Sequence, residues 1–308
     1  MACCAAPIES KQVLVEKFPA PPEIRTAKQA PVPPQEALKL LAQGNQRFMA
    51  GKVQKKISGG ELRKALATDG QNPHTAVVAC ADSRCPIEIL FDAQPGDLFV
   101  LRNAGNTCTH AEGSIVGSLE YSTGHLKTRL VLVLGHTKCG AIAGATKTMI
   151  ANKESKDSPD QNDDKEVSAL EVLLQGLTPV AEQASKELPS NATADEIAAH
   201  AVKVNVFNTM DKLLEFSESL RERVRLREVQ VHGAIYNLET GLVDFLGQSP
   251  NLGRLADSTA PPPEVAKRYG VEEEAPTQQD QTQSKAEGET AEPTKTQRWY
   301  HHLGVDPK

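Results

Sequence analysis

Residues 129–140 read RLVLVLGHTKCG, and the first half of that stretch decides the fold. From Leu130 to Leu134 every residue is Leu or Val, with no polar residue at alternate positions, so a strand here must be buried on both faces. Two further runs have the same character, TAVVAC at 75–80 and LFVL at 98–101. Helical patterns follow each run: PIEILFDA opened by Pro86, EGSIVGSLEYSTGHL opened by Glu112 and GAIAGATKTMIAN opened by Gly140. That alternation predicts an α/β fold, with a central, mostly parallel β-sheet flanked by helices.

Working outward, PQEALKLLAQGNQRFMAG has Pro34 at its start and Leu38, Leu41 and Phe48 at helical spacing, which predicts an amphipathic helix. Residues 1–33, rich in Ala and Pro, read as a disordered arm, so that order begins at Pro34. The polar stretch 152–167 reads as a solvated loop inserted in the domain. Two helices follow. The second starts at the capping box Thr193-Ala-Asp-Glu196 and runs to about Arg225 with a bend. REVQVHGAIYN, the turn Leu238-Glu-Thr-Gly241 and LVDFLG predict a hairpin that closes the domain at residue 248. Residues 249–297 read as a disordered acidic linker, and 298–308 as a short terminal segment holding the one tryptophan, in RWYHHLGV.

The chain has 308 residues, 39% hydrophobic, enough for one sizeable core. Its formal charge is −6, and residues 271–292 account for all of it, with seven carboxylates against Lys285. The remaining body is near neutral, which gives no electrostatic reason to expect nucleic acid or an anionic membrane as partner. No apolar run reaches the ~18 residues that a membrane span needs. The N-terminus lacks the basic and apolar regions of a secretory signal, and Glu9, Glu16 and Glu23 precede the first arginine, Arg25. A cytoplasmic, reducing location is therefore expected, with acylation at Cys3 or Cys4 or an organellar address left open. In such a compartment the six cysteines are thiols or metal ligands rather than a disulfide framework.

Two of the strands end in soft metal ligands. VVACADSRCP, residues 77–86, brings Cys80 to the end of the first strand, and His136 and Cys139 follow the third. The C-terminal ends of strands are where open α/β sheets place their sites. Two thiolates and an imidazole suit Zn2+, and three protein ligands leave the fourth tetrahedral position open for chemistry. Cys85 leaves two readings: a fourth ligand would close the site into a structural Cys₃His zinc. Pro86 argues that Cys85 turns away into the start of the following helix. Cys108, near His110, reads as a small semi-buried residue.

Cys80-Ala-Asp82-Ser-Arg84, with His136-x-x-Cys139 downstream, resembles the paired zinc motifs of the β-class carbonic anhydrases. The likeness runs from the PQEALKLLAQGNQRF helix through PGDLFVLRNAGN to GAIYNLETGLVDFLG, residues 34–248. The resemblance implies one Zn2+ per subunit, held by Cys80, His136 and Cys139, with a plain apolar residue usual where this chain has Cys85. It implies reversible hydration of carbon dioxide to bicarbonate by zinc-bound hydroxide, with an Asp82–Arg84 dyad in which the arginine keeps the aspartate off the metal. Gln71 matches a donor to substrate oxygen. Phe99 and Tyr121 match apolar pocket positions, Tyr121 reaching in from a partner subunit. The Gly140 N–H, at a helix start, is placed to stabilise a developing anion. Val77 stands where members that close at low pH carry tryptophan. The family's assembly implies a homodimer or a multiple of dimers. Two alternatives compete: hydrolysis of carbon disulfide or carbonyl sulfide on the same zinc, and a non-catalytic interaction protein with a closed zinc.

Overall fold

A computed structural model describes residues 24–54, 59–108, 113–155 and 168–257. The chain divides into two units, Met1–Val265 and Ala266–Lys308, and the second lies outside the described residues. So do the start of the arm with Cys3 and Cys4, residues 156–167 of the polar stretch, Glu112, and the stretch from 258 to the RWYHHLGV segment.

Five strands form one sheet: β1 Thr75–Cys80, β2 Leu98–Asn103, β3 Leu130–His136, β4 Gln230–Tyr236 and β5 Val243–Gly247. Their order is β2-β1-β3-β4-β5. The first four run parallel, and β5 closes the edge antiparallel to β4, as the hairpin reading expected. Nine helices surround the sheet among the described residues: α1 Pro34–Met49, α2 Gly60–Asp69, α3 Ile87–Leu90, α4 Ser114–Gly124, α5 Gly140–Ser155, α6 Ala169–Glu187, α7 Ala194–Phe216, α8 Glu218–Arg225 and α9 Leu252–Ala256.

The unbroken apolar character of β1 and β3 has a direct cause. Val131 and Val133 pack with Ala76, Val78, Met210 and Leu213 on one face of the sheet. Leu130, Leu132 and Leu134 pack with Val77, Ala79, Leu41 and Leu90 on the other. Each fully buried Leu or Val contributes about 1.5–3 kcal/mol relative to exposure, so apolar residues fill both faces of these strands. On the first face α7 lies close to the sheet because Gly135 and Gly233 carry no side chain. A Cβ on Gly135 would stand 2.8 Å from a Val206 methyl, and one on Gly233 2.7 Å from the other. The bend expected before Arg225 is a break at Ser217, whose hydroxyl accepts from Leu220 N and caps α8. The Thr193 capping box forms as read.

Several boundaries differ from the sequence reading. Order begins before Pro34: Arg25 Nε donates to Asn72 O at 3.1 Å, and Thr26 and Val32 are buried. Helix α2 was not expected, since it buries only Leu62 and so lacks an apolar stripe. Helix α5 continues to Ser155, into the stretch read as a loop. Helix α9 lies beyond residue 248, in the stretch read as linker, because Leu255 finds a buried place beside α7 and α8. Strand β3 extends two residues past Leu134, so that His136 is its last residue rather than part of the following turn.

Candidate metal centre

Strands β1 and β3 are parallel neighbours, with Ala79 level with Leu134, so they deliver their last residues to the same edge of the sheet. Cys80 ends β1 and His136 ends β3. A short turn, Thr137-Lys138, then brings Cys139 back to the start of α5. That turn is braced by the β4–β5 hairpin: Thr137 N donates to Tyr236 O at 2.9 Å, and Leu238 N donates to Thr137 Oγ1 at 3.0 Å. Lys138 takes a left-handed backbone, φ 57°, which turns the chain sharply enough to bring His136 and Cys139 together. One ligand atom from each of Cys80, His136 and Cys139 lies within 4.8 Å of the others, and all three residues are buried.

The donor set fits zinc. His136 Nδ1 donates to its neighbour's carbonyl, Thr137 O, at 3.0 Å, which fixes the ring and leaves Nε2 facing inward. Nε2 is buried and makes no hydrogen bond of ordinary geometry, an orphan that a metal ion satisfies. The thiols of Cys80 and Cys139 interact directly, which lowers the Cys80 thiol and raises that of Cys139. Gly105 N also donates to Cys80 Sγ, at 3.4 Å. Burial alone would lower the His136 imidazole, but the sulfurs of Cys80 and Cys85 outweigh it and raise the group to about 10. Metal binding displaces such protons from the ligands.

Asp82 and Arg84 form the pair expected of them. Arg84 Nε donates to Asp82 Oδ1 at 2.9 Å and Nη2 to Oδ2 at 2.6 Å, a two-pronged grip. Those bonds hold the Asp82 carboxyl well below the usual carboxylate range. Its Oδ2 stands 3.9 Å from His136 Nε2, at the edge of the cluster. Cys85 is not turned away as its place before Pro86 suggested. Its side chain is buried in the apolar cluster with Ile87, Leu90 and Tyr236, and its sulfur lies beside the His136 ring, although it does not join the three-ligand group.

The pocket residues divide. Gly140 follows Cys139 directly, and a Cβ there would meet nothing within 4 Å, so open space adjoins its backbone. Phe99 and Tyr121 touch each other, ring centroids 6.3 Å apart, but at the other end of the sheet. Phe99 is level with Ala76, four residues before Cys80. At ~3.3 Å per residue that separation is about 13 Å. Tyr121 is 48% exposed, and Gln71 is exposed in the segment leading into β1. Within one protomer none of these three lines the cluster.

Two contributors were not singled out from the sequence. Arg102, on β2, donates to Cys80 O at 2.9 Å and Asp82 O at 2.6 Å. Gly105 brings its amide to Cys80 only because it lacks a side chain: its φ is +80°, and a Cβ would sit 3.2 Å from both Ala141 Cβ and Leu177 Cδ1. Asn205 of α7 holds that peptide in place by donating to Gly105 O at 2.8 Å. Such contacts pair a side chain with distant backbone and leave no spacing pattern; only the glycine in LRNAGN hinted at a close approach.

The model of the carbonic anhydrase family matches residues 75–243, from the first residue of β1 to the first of β5. Carbonic anhydrase 2 of Mycobacterium tuberculosis is 42% identical over 112 residues, covering 36% of this chain and 52% of that protein. The chloroplastic beta carbonic anhydrase 5 of Arabidopsis thaliana is 32% identical over 196 residues, 62% of this chain and 60% of that one. The chain thus spans about half the length of the mycobacterial relatives it matches. Among solved structures, a β-carbonic anhydrase of Aspergillus fumigatus superposes with a TM-score of 0.52 at 29% identity, covering 64% of this chain and 86% of that one.

Proposed function

Since the chain belongs to the β class of the carbonic anhydrase family, we propose that it catalyses the reversible hydration of carbon dioxide to bicarbonate and a proton. The observation that carries this reading is the buried Cys80–His136–Cys139 cluster with an arginine-held carboxylate at its edge. A zinc ion held by those three residues would supply a nucleophile at neutral pH by lowering the pKa of water to roughly 7.

The chain's own residues do the rest. Asp82, ionised throughout the neutral range, accepts a hydrogen bond from the attacking oxygen and so points its lone pair at carbon. Arg84 occupies both carboxylate oxygens, which keeps Asp82 from taking a metal position itself. The Gly140 N–H, beside open space at the start of α5, donates to the substrate oxygen as charge builds on it. Gln71, Phe99 and Tyr121 serve the site of a second copy, in a homodimer or a multiple of dimers. Their distance from the cluster of their own protomer supports that assignment. The free thiols suit a reducing compartment, and we assign the cytoplasm. Among the described residues no helix is long and apolar enough to cross a membrane, and relatives carry chloroplastic and mitochondrial names.

The test is metal content together with stopped-flow proton release on mixing with carbon dioxide. One zinc per subunit and fast release that collapses in Asp82→Asn are expected; equal rates in parent and variant would overturn the reading. A second reading, a closed structural zinc, is favoured by one observation, the sulfur of Cys85 beside His136. Under it Cys85→Ala loses zinc as readily as Cys139→Ala; under the catalytic reading Cys85→Ala keeps both zinc and activity.

A further inference from the structure

We propose that Arg102 is a positioning residue for the metal centre, acting through the peptide carbonyls of Cys80 and Asp82. It sits on the edge strand β2, level with Ala79. Its Nε donates to Cys80 O at 2.9 Å and its Nη2 to Asp82 O at 2.6 Å. One residue further on, Ala81 N donates to Asn103 O at 2.8 Å. The turn that carries the first ligand and the acidic member of the dyad is therefore tied to β2 at three consecutive residues, just where β1 has ended.

The arrangement assigns different ends of Asp82 to different arginines. Arg84 grips the carboxylate, and Arg102 grips the peptide carbonyl of the same residue. Neither bond alone fixes where the carboxylate stands. A side chain held only at its tip can swing about its own backbone, and a backbone held without its tip leaves the carboxylate free to rotate. Arg102 also reaches Cys80, so ligand and dyad are set by one rigid, planar group. Among the described residues Arg102 makes no ion pair, and its partners are carbonyl oxygens only. Its side chain is exposed, so removing it opens no cavity, and water can take up the exposed Asp82 carbonyl. The consequence of losing it falls on the geometry of the site rather than on the fold.

This inference rests on zinc at the Cys80–His136–Cys139 cluster, and the experiment separates the two. Parent protein, Arg102→Gln and Arg102→Lys are compared in the zinc-loaded state by rate of zinc transfer to a colorimetric chelator, with melting midpoint as control. The absorption spectrum after cobalt substitution and the separate values of kcat and KM complete the set. Arg102→Gln is expected to release zinc about ten times faster, with a shifted cobalt spectrum and a matching fall in kcat at unchanged KM. Its melting midpoint stays within a few degrees of the parent's. Arg102→Lys, which keeps the charge but lacks the planar fork that spans the two carbonyls, should fall between them, and its faster release alone carries the proposal if Arg102→Gln fails to fold. A zinc-loaded parent with release and cobalt spectrum unchanged in both variants overturns the inference alone. A parent that binds no zinc overturns the functional reading beneath it.

Discussion

Arg84 Nη2 donates to the carbonyl oxygen of Lys138 at 3.2 Å while the same guanidinium holds Asp82. One side chain thus joins the turn after β1 to the turn after β3, 54 residues apart in sequence. Arg84→Lys keeps the charge but cannot make the two-pronged bond and the third contact at once. We expect kcat/KM for carbon dioxide hydration to fall about 10–100-fold with zinc retained, measured by stopped flow with metal analysis alongside. Retained activity would mean that the link is dispensable.

Gly105→Ala tests the amide that reaches Cys80 sulfur. The added methyl would meet Ala141 and Leu177 at 3.2 Å in a left-handed backbone, so the peptide must move away from the thiolate. Stability should drop by about 1–3 kcal/mol in denaturant titration, and zinc affinity by about tenfold in chelator competition. An unchanged zinc affinity would leave the N–H···S contact without a role.

Gly135→Ala places a methyl 2.8 Å from Val206 Cγ2, between the sheet and α7. Overpacking of this kind costs about 1–3 kcal/mol, read as a lower midpoint in urea. Because the neighbouring residue is His136, weaker zinc retention is expected alongside.

His74 gives a pH dependence independent of the metal. It is buried next to β1, with Nδ1 2.8 Å from Thr75 Oγ1, and burial, followed by the charge of Arg25, lowers it to about 3. The unfolded chain takes up that proton near its ordinary value of ~6.5, whereas the folded chain does so only near 3. The unfolded state therefore binds more protons between these values, and stability falls as pH drops through that window, levelling off below it. Stability measured by urea titration from pH 7 to 3 should lose this slope in His74→Gln. An identical slope in the variant would place the proton uptake elsewhere.

Much of this was legible in the sequence, and for a local reason. Cys80, His136 and Cys139 stand where apolar runs stop, so the topology that brings parallel strands to one edge also brings the ligands together. Asp82 and Arg84 are two residues apart, so their pairing needs no knowledge of the fold. What stayed hidden depends on distance along the chain. Arg102 meets Cys80 across 22 residues, through backbone oxygens that any residue type would offer. Phe99 was expected at the pocket, and the register places it level with Ala76, about 13 Å along β1 from Cys80, a separation that no linear spacing reveals. Proline after Cys85 suggested a side chain turned away, but the tight turn closed by Cys85 N donating to Asp82 O folds it back toward His136. Helices α2 and α9 bury one residue each, too little to leave a periodic signal.

The bracing of the Thr137-Lys138 turn bears on how the protein is made. Its supports, Leu238 N on Thr137 Oγ1 and Glu239 on Lys138 Nζ, lie 101 residues further along the chain. During synthesis all three ligand residues leave the ribosome well before those supports do. A nascent chain that ends short of the hairpin holds Cys139 on a turn braced by Arg84 without its hairpin supports, so secure capture of the ion belongs to the last stage of synthesis, and a chain cut before Leu238 is expected to surrender zinc to a chelator that the full chain resists.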